Sequence, residues 1–234
     1  MISTIFGKLL GLIYSMVADY GLSIILFTLF VKLLLMPLSI AQINSTKNMS
    51  KVQPEIKKLQ EKYKNDKETL NIKTMELYKE YKINPLAGCL PLLIQLPIIF
   101  GLFAALRDPA KYVFGGDAAA ATAALSKGFL WVSDLATPDF LGPMLGINEG
   151  IMAGLPGILP IIAALTTWLQ MHASGSGTQD NPTMKSMVYT MPLMILFMGR
   201  TLASGLMLYW IVGNIFQIGQ QYVQTHLGLK GETK

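Results

Sequence analysis

Five internal stretches of this 234-residue chain each run for at least 17 residues with no more than one Asp, Glu, Lys or Arg. They are residues 20–43, 86–106, 155–171, 183–199 and 204–225. About 20 apolar residues suffice to cross the hydrocarbon core of a bilayer. In lipid every backbone N–H and C=O must pair within the protein, so such runs must be helices. Pro37, Pro91, Pro97, Gly101, Pro160 and Pro192 fall inside them. Membrane helices tolerate both residue types better than soluble ones do. The fifth run turns polar at its far end, with Gln217, Gln220, Gln221 and Gln224. Only residues 200–203 separate the fourth run from the fifth, which requires a tight hairpin.

Composition agrees. Only 14% of residues are charged and mean hydropathy is +0.44. A soluble domain carries about 25% charged residues, which argues against a soluble globular enzyme. Disorder is excluded by the 52% hydrophobic and 9% aromatic content. The single cysteine, Cys89, rules out an internal disulfide framework and a multi-cysteine metal site. No glycine loop for phosphate is present, so neither cofactor nor metal is expected.

The few charges are unevenly placed. Residues 47–82 hold ten Lys against six acids, whereas residues 107–149 hold three basic and five acidic residues. Basic loops stay cytoplasmic. The expectation is therefore an all-α polytopic membrane protein with an outer N-terminus and a cytoplasmic C-terminus. Its segments are an amphipathic peripheral helix (1–19), a first span (20–46), a cytoplasmic helical hairpin (47–83) and a second span (84–107). An outer loop (108–153), a third span (154–173), a cytoplasmic loop (174–182) and a fourth span (183–200) follow. An outer turn with the fifth span (201–226) and a cytoplasmic tail (227–234) complete the chain. The N-terminal stretch carries only Lys8 and lacks an A-x-A cleavage pattern or lipobox cysteine, which favours a surface helix over a signal sequence. Arg200, on the outer side, runs against the charge rule.

Lys32 lies inside the first run. A lysine at mid-membrane costs about 2.5–3.5 kcal/mol, and such residues normally face a bundle interior or a wet cavity. Snorkelling is the plainer alternative, but it would need a reach of about two helical turns. Thr28, four residues before it, and Ser39, seven after, share its helical face. Gln95, and the one-face series Trp210, Asn214, Gln217 and Gln221, add polar groups from other runs. Each of these could instead be an isolated hydrogen-bonding link between helices. No Asp or Glu lies in any run, so the natural partner of Lys32 is water or a visiting acidic group. That describes a hydrated groove with a positive floor.

Residues 47–82 read as two helices with a turn near residues 64–67 and with Pro54 in a first helical turn. Val52, Ile56, Leu59 and Tyr63 form one apolar stripe, and Ile72, Met75 and Tyr78 another. The charged face suits solvent equally with anionic lipid, ribosomal RNA or an incoming chain.

Five segments, YGLSIILFTLFVKLLLMPL, QPEIKKLQEKYKND, INPLAGCLPLLIQLPIIFGLF, LWVSDLATPD and MPLMILFMGRTLASGLMLYWIVGNIFQIGQQ, follow in order. In them the chain closely resembles the YidC/Oxa/Alb membrane protein insertases, in a short bacterial form, from about residue 20 to 221. The resemblance implies a five-helix transmembrane core around a polar groove open to cytoplasm and lipid and closed to the outside. It puts Lys32 where members typically carry Arg, with Thr28, Gln95, Trp210 and Asn214 lining the groove. A lysine keeps the charge but not the planar fork of a guanidinium. The hairpin corresponds to the part thought to receive substrate. The implied function is that of an insertase and chaperone in protein transport, without catalysis, in the plasma membrane. Implied partners are nascent membrane proteins and the lipid bilayer, with ribosome and Sec translocon as further candidates. With only Lys230 and Lys234 in the tail, ribosome docking through it is not expected. The alternative from the residues alone is a small transporter or channel using Lys32 as its substrate or ion site. It would usually show related halves, and none is visible. An intramembrane protease is disfavoured because His172 and His226 lack catalytic company.

Overall fold

The computed structural model describes residues 2–81, 90–147, 149, 154–174 and 182–226. The beginning of the second expected span with Cys89, the loop at 175–181 and the tail with Lys230 and Lys234 lie outside the described residues. The elements are α1 (Ile2–Val17), α2 (Tyr20–Leu34), α3 (Met36–Lys62), α4 (Lys67–Glu80), α5 (Leu90–Arg107), α6 (Pro109–Tyr112), α7 (Ala118–Leu125), α8 (Leu141–Met144), α9 (Ile158–Ala173), α10 (Pro182–Met198) and α11 (Ser204–His226). Among the described residues no strand forms. Two isolated antiparallel bridges, Phe129 with Val132 and Phe140 with Pro156, shape the long loop.

The stretch read as one continuous first span is broken. Asp19 caps α2, its carboxylate accepting from the Leu22 N–H at 2.7 Å. The helix stops at Leu35 and restarts as α3 with Pro37 in its opening turn, where the missing N–H costs nothing. The two segments meet at 61°. Pro37 therefore takes the helix-start role expected of Pro54. Pro54 lies inside α3 on an exposed face, and the helix runs through it. Helix α3 leads directly into the hairpin, where Val52 and Ile56 pack with Leu77 and Tyr78. The second stripe turns over: Ile72 and Met75 stay exposed, and Leu77 replaces them in the contact.

No single described helix is both long and apolar enough to cross a membrane. The bent pair Tyr20–Leu34 and Met36–Ser45 is, by length and composition. Ile2–Val17, Gln95–Arg107, Ile158–Ala173 and Lys185–Met198 are shorter apolar helices.

Helix α11 is the hub. It packs on α2, α5 and α9, and α10 packs on α9. Its residues 204–209 are all buried, as expected of a helix enclosed on every side. Ile24, Phe27, Leu102, Leu106, Leu159 and Ile195 complete the core around it. The outward faces are also apolar: Phe30, Leu34, Phe100, Leu193, Phe197 and Ile215 are all exposed. Large exposed apolar surfaces of this kind mark contact with something other than water.

Helix α1 lies against α2 and α5. Leu10 is buried there, and the Phe6 ring meets Phe27 edge-on at 5.6 Å. Its opposite face, with Ile5, Leu12 and Met16 beside Lys8, is exposed and largely apolar. Ala18, at φ 55°, turns the chain from α1 into α2.

Candidate functional site

Helices α2 and α11 run side by side in register. A Cβ built on Gly205 would lie 3.0 Å from Ile24 Cδ1, and one on Gly213 would lie 3.1 Å from Lys32 Cε. Eight residues separate the two contacts in both helices, which is the pattern of parallel neighbours. The same Gly213 position is 4.0 Å from the Thr28 methyl group. Glycine here removes the side chain that would otherwise fill the place of the lysine stem.

The break at Leu35 changes the surroundings of Lys32. The residue sits in the last turn of α2, not in mid-helix. A cation there faces the negative end of the helix dipole. Among the described residues no hydrogen bond or ion pair reaches its ammonium. Thr28 is fully buried, and its hydroxyl donates to the Ile24 carbonyl at 2.7 Å. Ser39 lies beyond the bend, so it does not continue the face of Thr28 and Lys32.

The remaining expected residues lie along α11 in two groups. Gln95 Nε2 donates to the Tyr209 hydroxyl at 2.6 Å, tying α5 to α11. On another face, Trp210 Nε1 donates to Thr167 Oγ1 at 3.2 Å. Asn214 Nδ2 donates to Thr167 Oγ1 at 2.9 Å and to Thr166 Oγ1 at 3.2 Å. Both threonine hydroxyls donate back to carbonyls of their own helix, at Ile162 and Ala163. Each hydroxyl therefore donates along α9 and accepts from α11, Thr167 from both Trp210 and Asn214. Trp210 and Asn214 form a polar seam between α9 and α11, and Lys32 with Thr28 occupies the α2 side.

Gly213, Tyr209, Thr166 and Thr167 escape the sequence reading. The adjacent threonines in an otherwise apolar run were the available signal for two of them. Gly213 had none, because its meaning comes from the residue across from it.

Among the described residues, apolar outer faces, a cation in the last turn of α2 and polar links between helices give the bundle the character of a polytopic membrane protein. Comparison places it more closely. A family model described as 60Kd inner membrane protein matches residues 12–230. The chain is 41% identical over 206 residues to the membrane protein insertase YidC of Fusobacterium nucleatum, covering 88% of this chain and 86% of that one. It is 45% identical over 207 residues to membrane protein insertase YidC 1 of Listeria monocytogenes, covering 86% of this chain and 62% of that one. A crystal structure of an active YidC insertase superposes with a TM-score of 0.66 at 28% identity, over 90% of this chain and 43% of that chain. The chain thus spans less than two thirds of the latter two. It belongs to the 60Kd inner membrane protein family, the family of the YidC insertases, and is a bacterial membrane protein.

Proposed function

We propose that this chain is a membrane protein insertase of the bacterial plasma membrane. In this reading five spans enclose a hydrophilic groove, the N-terminus is outside, and the hairpin and C-terminus are cytoplasmic. The charge excess of residues 47–82 supports that orientation. Lys32 carries the reading. It is a partly buried cation laid over Gly213, with no hydrogen-bonding or acidic partner among the described residues. A charge held away from bulk water without a counter-ion favours arrival of an opposite charge.

A nascent membrane protein would meet the α3–α4 hairpin first. Its short hydrophilic segment would then enter beside Lys32, drawn most strongly when acidic. Polar groups at Gln95, Trp210 and Asn214 would lower the desolvation cost of that segment. The apolar span would leave sideways past the exposed faces of α5 and α10, at Phe100, Leu193 and Phe197. Burial of the client's own span supplies the driving force, about 0.8 kcal/mol per CH₂. No covalent step is required. Ribosome and Sec translocon belong to the same proposal as upstream partners.

The test depletes the host insertase and supplies this chain as Lys32, Lys32→Arg or Lys32→Leu, then follows a single-span client with an acidic outer segment by protease protection. Arg should match or exceed Lys, and Leu should fail. Full insertion by the Leu variant would remove Lys32 from the mechanism.

A further inference from the structure

Residues 135–139, Leu-Ala-Thr-Pro-Asp, cross the starts of α9 and α11 and pair with both. The Leu135 carbonyl accepts from the Gly205 N–H at 2.9 Å. The Thr137 carbonyl accepts from the Ser204 N–H at 2.8 Å and from its hydroxyl at 2.6 Å. The Asp139 carbonyl accepts from the Gly157 N–H at 2.8 Å, and its carboxylate Oδ2 accepts from the Leu159 N–H at 2.8 Å. Trp131 Nε1 also donates to that oxygen, at 3.4 Å.

These are N–H groups that a helix start leaves without intrahelical partners. The segment satisfies them for two helices at once. Leu135 and Asp139 are both buried, and the carboxylate lies at the positive end of the α9 dipole. Gly157 leaves room for it: a Cβ there would stand 2.3 Å from Asp139 Cγ. From Leu159 to Thr166 is seven residues and from Ser204 to Trp210 is six. Both polar partners thus lie about 10 Å below the segment. Holding the two helix starts level is what brings Thr166 and Thr167 opposite Trp210 and Asn214.

We propose that residues 135–139 are a strap clamping the outer ends of α9 and α11, with Asp139 the positioning residue that sets their register and keeps that end shut. The insertase reading explains why the end must stay shut. The test needs no client, so the two can fail separately.

The reporter is Ala163→Cys in a Cys89→Ser chain. Ala163 is fully buried, one turn on the strap side of Thr167. Membrane-impermeant maleimide is added to the strap face of sealed vesicles, and the peptide containing position 163 is quantified by mass spectrometry. With Asp139 or Asp139→Asn, which keeps an acceptor, labelling should be negligible. With Asp139→Ala it should be at least tenfold faster. Equal labelling in Asp139 and Asp139→Ala would overturn the proposal. Should Asp139→Ala fail to fold, Asp139→Cys with Gly157→Cys replaces it, since a Cβ on Gly157 would face the Asp139 side chain, 2.3 Å from its Cγ. Protection when oxidised and labelling when reduced support the strap, and identical labelling in both states overturns it.

Discussion

Lys32 Nζ lies only 3.6 Å from where a Cβ on Gly213 would stand, so the two helices share that space between one long side chain and none. Gly213→Ala displaces a flexible stem by a few tenths of an ångström and should leave insertion within about twofold of wild type. Gly213→Leu must evict the stem. Overpacking of this kind costs about 1–3 kcal/mol, and insertion of an acidic client should fall about tenfold. Pulse-labelled protease protection measures both. Wild-type insertion by the Leu variant would contradict the arrangement.

Thr167 Oγ1 is the acceptor for two donors from α11. Thr167→Val keeps the shape but strands Trp210 Nε1 and weakens the tie to Asn214. A loss of about 1–2 kcal/mol is expected, whereas Thr167→Ser should be nearly neutral. Unfolding in mixed micelles with increasing SDS separates the two.

Gly7 of α1 leaves no space above it, because a Cβ would stand 2.3 Å from the Tyr112 carbonyl oxygen. That neighbour is backbone and cannot swing away. Gly7→Val should loosen α1 from the bundle and cost about 1–3 kcal/mol. Faster proteolysis within residues 2–17, with α9–α11 protected as before, is the expected pattern.

Asp66 caps α4, accepting from the Thr69 hydroxyl at 2.6 Å and the Thr69 N–H at 3.0 Å. These bonds, the hydroxyl's foremost, hold its carboxyl below the usual value. A group whose folded pKa is depressed stabilises above its unfolded pKa, about 3.9, and loses that contribution as pH falls through the folded value. At neutral pH, Asp66→Ala should speed amide exchange at Thr69 and Leu70. As pH falls through that folded value the variant and wild type should converge.

The helical, membrane-type character of the chain and its family were legible because apolar run length and charge placement are local properties. The short link between α10 and α11 was legible for the same reason, but the packing of both helices on α9 was not. The break at Leu35 was not. Pro37 carried the signal, since a proline removes an i→i−4 bond and crowds the preceding turn, but tolerance of Pro in membrane helices hid it. Thr166 and Thr167 were missed because a threonine that back-bonds to its own helix is unobtrusive in an apolar run. Leu77 entered the hairpin contact ahead of Ile72 and Met75 because the crossing of α3 and α4, which periodicity does not specify, selects the residues that touch. Lys32 was singled out from its cost alone, but its place at a helix end came only with the fold.

The uninterrupted run of α3 from Met36 to Lys62 has a mechanical meaning. Its 27 residues make a rod about 40 Å long, pivoted three residues past the lysine. A tilt of about 10° at Leu35 would sweep the far tip through about 7 Å on that length, while the near end barely translates. If cargo docks at the tip, as the insertase reading has it, its movement would be geared down to a small adjustment beside the partly buried Lys32 ammonium, as a long handle acts on a short jaw.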